Sequence, residues 1–119
     1  MRSITDLNQW GQIRLDLIGS VGFVPTMGAL HEGHLSLLRR SVAENDQTIL
    51  SIFVNATQFN NSGDLESYPS DLANDLSLAK SVGVDWVLIP DYDQIYSDGF
   101  RFRVREQIFS QELCGADRP

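Results

Sequence analysis

The chain has 119 residues, 42% of them hydrophobic and 21% charged, which fits one soluble globular domain and lies outside the disordered class. Its formal net charge of -7 disfavours non-specific binding to nucleic acid or to an anionic membrane, but a helix terminus and a few local cations can still hold a nucleotide. Cys114 is the only cysteine, so an intrachain disulfide is excluded and a reducing compartment is implied; with no activating base nearby it reads as a bystander thiol.

In chain order, the start Met1 to Asp6 lacks the apolar core of a secretory signal. The apolar runs around Ile49–Val54 and Trp86–Pro90 are too short to span a bilayer, so a soluble cytoplasmic protein is expected. Leu7, Trp10, Arg14 and Leu17 recur at helical spacing and predict a helix over 5–18, with Ser3 or Thr5 as N-cap and Gly19 as stop. Val21–Val24 reads as a short strand. Leu35, Leu38 and Val42 share one face of a helix over 33–44, and Thr48–Val54 reads as a strand covered on both faces. The polar stretch from Asn55 to Pro69 reads as a loop with one short helical turn.

A further helix fits Ser70 to Val82, with a stripe of Leu72, Leu76 and Ala79 and with Gly83 closing it. Asp85–Ile89 reads as a third buried strand ended by Pro90, and Phe102 and Val104, alternating with Arg101, Arg103 and Arg105, as an edge strand. Strands alternating with helices predict a parallel α/β sheet with right-handed crossovers. Ligands of such sheets bind beyond the strands' carboxyl ends, and this places Thr26–His34 and Asn55–Gln58 on one rim.

The segment Pro25-Thr26-Met27-Gly28-Ala29-Leu30-His31-Glu32-Gly33-His34 carries the chemistry. It joins a strand to a helix, whose N-terminus offers unpaired N–H groups and the positive end of a dipole. Gly28 and Gly33 permit close backbone approach, and the two histidines can donate to phosphoryl oxygens. A metal pair is the weaker reading, because the chain holds two histidines and one cysteine and lacks the His-Glu-x-x-His spacing. Histidines that merely sit on the surface or cap the helix are the bland alternative. Neither a Walker-type loop nor a Gly-x-Gly-x-x-Gly pattern is present, whereas His-x-Gly-His is a moderately specific sign of the nucleotidyl-transferring α/β superfamily.

Phe23 to His34 strongly resembles the signature of the pantothenate synthetase (pantoate–β-alanine ligase) family, and Ser51-Ile52-Phe53-Val54-Asn55 with Gln58-Phe59 resembles that family's second motif. Tyr68-Pro69, Val84-Asp85, Pro90, Tyr96, Leu113, Gly115 and Arg118-Pro119 follow in the family's order, so the resemblance covers essentially the whole chain. It implies a Rossmann-like parallel sheet with flanking helices, of the nucleotidyltransferase superfamily with this histidine turn. It also implies that residues 1–119 form a single N-terminal nucleotide-binding domain, truncated before the C-terminal lid domain. Met27, Gly28, Ala29, Leu30, His31, Glu32, Gly33 and His34 would contact ATP, with His34 as the acid assisting phosphoryl chemistry and His31 beside it on the triphosphate. Gln58 would bind pantoate and later lie near β-alanine; Pro25, Met27 and Phe59 would wall the pantoate methyl groups, and Asn55 would support the pocket.

The implied reaction joins pantoate to β-alanine through pantoyl adenylate, with Mg²⁺ on the phosphates and no metal site on the protein. No nucleic acid or membrane partner is implied, and the complete enzyme would be a homodimer. Ala56 and Ser97 stand where the family usually has proline, Ser70 where it has arginine, and Asn60 to Gly63 depart from its acidic loop. The chain stops where the family continues into a Gly-His-Phe segment, so the missing ATP-site and pantoate-site residues would leave the fragment inactive. Two other readings are a small nucleotidyltransferase that condenses a phosphate ester with ATP and a non-catalytic truncated domain.

Overall fold

Alternation of apolar side chains along the strands divides the core into two layers, one on each face of a parallel sheet. The computed structural model describes residues 1–54, 70–97, Val104 and Ile108. Its elements run β1 (Arg2–Ile4), α1 (Leu7–Asp16), β2 (Val21–Thr26), α2 (Glu32–Glu44), β3 (Gln47–Ile52), α3 (Leu72–Ser81), β4 (Trp86–Leu88) and α4 (Tyr92–Ile95). The strands pair in the order β1-β4-β3-β2, and every pairing is parallel. Val24, Leu50, Ile52 and Val87 face α2 and α3 and pack with Leu30, Leu35, Leu38 and Ala79. Ile4, Ile49 and Leu88 face α1 and meet Trp10, Ile13 and Leu17.

Several boundaries differ from the expected ones, each for a physical cause. The N-cap of α1 is Asp6, whose carboxylate accepts the Asn8 and Gln9 amides, because Ser3 is committed to β1 and its pairing with Val87. β2 continues through Pro25 to Thr26; it pairs only with β3 among the described strands, and an edge tolerates a residue with no N–H. On α2 the inward position after Leu38 belongs to Ser41, while Val42 is exposed. The Ser41 hydroxyl meets that of Thr48 at 2.7 Å, so both buried groups are satisfied. On α3 the stripe takes in the carboxylate of Asp75, and Leu72 is exposed. Gly83 does close α3, with φ +93°. Val104 belongs to no strand, and the rest of the expected edge strand, the 55–69 segment and Cys114 lie outside the described residues. No helix of the described residues is long and apolar enough to cross a membrane.

Close approach of α2 to β2 depends on Gly22. A Cβ there would lie 2.0 Å from Ser41 Oγ and 2.7 Å from Asn45 Nδ2. Gly22→Ala is therefore expected to destabilise the fold by about 1–3 kcal/mol, the usual cost of overpacking, measured as a lower urea midpoint at unchanged slope.

Candidate functional site

The connection from β2 to α2 leaves the carboxyl edge of the sheet and turns through two left-handed residues, Gly28 (φ +83°) and Ala29 (φ +51°). The N–H groups of Gly28, Ala29 and Leu30 each have an internal acceptor. That of Gly28 donates to Thr26 Oγ1 at 3.2 Å, and the Thr26 hydroxyl in turn donates to the Ser51 carbonyl of β3 at 2.9 Å. Those of Ala29 and Leu30 converge on the carboxylate of Asp75 from α3, at 3.0 and 2.8 Å. Asp75 is 2% exposed. Successive amides of this kind form a nest suited to an anion, and here the protein's own carboxylate fills it. The N–H groups of Gly28, Ala29 and Leu30, expected at the ATP, are thus engaged within the chain.

Beyond the turn the two histidines build the start of α2. His31 is the N-cap, and its Nδ1 accepts the Gly33 amide at 3.0 Å; Nδ1 of His34 accepts the His31 amide at 3.1 Å. This is a reciprocal capping box made from imidazoles. The rings lie 4.0 Å apart between centroids. Gly33 is needed because a Cβ there would lie 2.8 Å from His31 Cε1. With both Nδ1 atoms accepting, the neutral rings carry their protons on Nε2. The bland reading and the phosphate reading therefore coexist: each ring caps the helix with one nitrogen and keeps an Nε2–H donor. The His34 amide donates back to the His31 side chain and closes the box, while the Glu32 amide has no acceptor among the hydrogen bonds of the described residues.

Burial, and then the charge of His31, holds the His34 pKa below its ordinary value of 6.5, against a smaller opposing pull from the Asp75 carboxylate. The shift favours the neutral ring, whose Nε2–H is a donor. Glu32, in the first turn of α2, is ion-paired with Arg39, whose hydrogen bond pulls its carboxyl below the usual range.

Next to the turn, the ends of β2, β3 and β4 enclose a cavity of about 220 Å³. Met27, Gly28, Phe53, Val54, Asp75 and Pro90 are among the residues lining it. Met27 thus lines this cavity, whereas Pro25 is exposed near the end of β2 and is not among the lining residues. Gln58, Asn55 and Phe59 lie outside the described residues; Phe53 and Val54, which lead to them, are on the cavity. Among the described residues, no three His, Cys, Asp or Glu side chains converge as a metal-binding group. Sequence reasoning missed Thr26 and Asp75. Asp75 had a signal: it stands at 75 within a stripe of 72, 76 and 79, a charge on an otherwise apolar face.

A parallel sheet with flanking helices and a histidine-bearing β2-to-α2 turn at its carboxyl edge defines a Rossmann-like α/β nucleotidyltransferase fold. The family model for pantoate-beta-alanine ligase matches residues 1–119, and the chain belongs to that family. The pantothenate synthetase of Thermosipho africanus is 46% identical across 100% of this chain, which covers 44% of that protein. That of Bdellovibrio bacteriovorus is 45% identical, again over 100% of this chain and 46% of its own length. A Francisella tularensis pantoate-beta-alanine ligase, solved in complex with beta-gamma ATP and beta-alanine, superposes with a TM-score of 0.95 at 43% identity, over 100% of this chain and 47% of that one. The pantothenate synthetase of Thermus thermophilus gives 0.87 at 40% identity, over 100% of this chain and 43% of the other. The chain thus spans under half the length of these relatives.

Proposed function

We propose that this chain carries the ATP-facing part of a pantoate–β-alanine ligase, as its N-terminal nucleotide-binding domain over residues 1–119. The observation that carries the reading is the imidazole capping box, which leaves two Nε2–H donors and the open Glu32 amide at the tip of α2, beside the cavity at the sheet's carboxyl edge. In the reaction, a pantoate carboxylate oxygen attacks the α-phosphorus of ATP, and the bond to the β-phosphate breaks to release pyrophosphate. The β-alanine nitrogen then attacks the acyl carbon of pantoyl adenylate, losing a proton as AMP leaves.

His31 and His34 donate to phosphate oxygens, where negative charge grows as the bond to pyrophosphate breaks. Met27 walls the pantoate cavity, and Pro25, Asn55, Gln58 and Phe59 complete the substrate side in this reading. Mg²⁺ arrives with the triphosphate and screens its charge. The proposal extends to a cytoplasmic, homodimeric complete enzyme.

The chain alone is expected to show an ATP-dependent rise in melting temperature but little or no AMP release with ATP, pantoate and β-alanine. Turnover matching that of a full-length relative would overturn the second expectation. A melting temperature indifferent to ATP would overturn the assignment of the tip.

A further inference from the structure

We propose that Asp75 is a positioning residue for the phosphate-binding tip: its buried carboxylate fixes the left-handed turn that aims both histidines, without itself touching the nucleotide. This rests on the reading of the tip as the ATP site. Three features of the structure support it. First, both carboxylate oxygens are engaged, one by each of two successive amides, which ties the carboxylate to the backbone of the turn. Second, Ala29 holds φ +51°, a conformation that costs a residue with a Cβ free energy and persists only where its surroundings enforce it. Its own N–H is one of the two that Asp75 holds. Third, the turn leads within two residues to His31, the N-cap. A shift of Leu30 moves the cap and both rings together, because the His34 ring is tied to the His31 amide.

An acid this close to a triphosphate would be a liability if it were open. Sunk to 2% exposure and committed to two amides, it acts through the backbone, the same physical device by which a metal ligand is oriented from behind. Removing the charge while keeping the shape leaves one of the two amides opposite an NH₂ group. Ala29→Gly removes the need for enforcement, since glycine adopts the left-handed turn without a steric cost.

The test uses the 119-residue chain with Asp75→Asn, Ala29→Gly and the double variant, and with Ser41→Ala as a control that disturbs a buried polar pair at the other end of α2. Asp75→Asn is expected to speed hydrogen exchange at the Ala29 and Leu30 amides by at least about tenfold, and to move the His34 imidazole titration to lower pH as an anionic neighbour is lost. MgATP binding should weaken by about tenfold, and Ala29→Gly in the same chain should recover most of it. Ser41→Ala should leave the His34 titration and MgATP affinity in place.

A His34 titration and an affinity unchanged in Asp75→Asn would overturn the proposal, as would the same changes in Ser41→Ala. If Asp75→Asn does not fold, the double variant decides: a folded protein that binds MgATP supports the role, and an unfolded one rejects it. Failure of the wild-type chain to bind MgATP would sink the ATP assignment alone, because exchange and the His34 titration still report on Asp75.

Discussion

His34→Asn is expected to weaken MgATP binding by about ten- to a hundredfold while leaving the melting temperature nearly unchanged, since a hydrogen bond to a charged group contributes about 1.5–3 kcal/mol. Asparagine Oδ1 takes the place of Nδ1 and can still accept the His31 amide, so the cap survives and only the Nε2–H donor goes. His34→Ala removes both functions and should add a stability loss of about 0.5–2 kcal/mol, the ordinary cost of a lost cap. The two variants therefore separate capping from binding.

The pH dependence has two opposite signs. His34 is held below 6.5 in the folded protein, so its contribution to stability is fully present above that value and is lost as pH falls through the lowered folded value. Phosphate favours the charged ring, so MgATP affinity gains from His34 as pH falls from about 7.5 toward 6. In His34→Asn both slopes should lose the His34 part. An asparagine variant that binds MgATP as well as the wild type would remove the Nε2–H from the site.

The turn was legible because its requirements are local. Gly33 lies two residues from the ring it must admit, and His31 and His34 are spaced as N-cap and N3, so the strand, turn and helix follow from neighbours in sequence. What holds the turn was not legible. Asp75 stands 45 residues from Leu30, and only the sheet brings α3 beside β2's end. β1 escaped for a similar reason. Three residues carry no periodicity, and their strand exists because Ser3 and Ile4 pair with Val87 and Leu88. That pairing in turn decided the α1 cap, since Ser3, Thr5 and Asp6 are all capping residues and only the paired strand rules out the first. Ser41 displaced Val42 from the inner face of α2 because Gly22 makes room there and Thr48 supplies a hydroxyl, facts that lie on two other elements.

The two glycines of the turn should fail in different ways. Gly28→Val is expected to cost about 2–5 kcal/mol, the sum of a left-handed L-residue (about 1–2 kcal/mol) and overpacking (about 1–3 kcal/mol). Its Cβ would lie 3.1 Å from Asp75 Oδ2 and 3.2 Å from Ile52 Cγ2, and both neighbours are buried, so neither can yield cheaply. Against a typical total of about 5–15 kcal/mol the loss is severe, and the melting temperature should fall by about 8 °C or more. Gly33→Ala meets only the exposed ring of His31, at 2.8 Å from Cε1, and has no left-handed backbone to strain. The ring can swing aside at small cost to stability, but it then gives up the Gly33 amide and its place at the tip. Gly33→Ala should therefore melt within a few degrees of the wild type and bind MgATP at least about tenfold more weakly, read by thermal unfolding and calorimetric titration on the same samples. Equal losses of stability in the two variants, or wild-type MgATP affinity in Gly33→Ala, would show that the His31 ring is not held for phosphate.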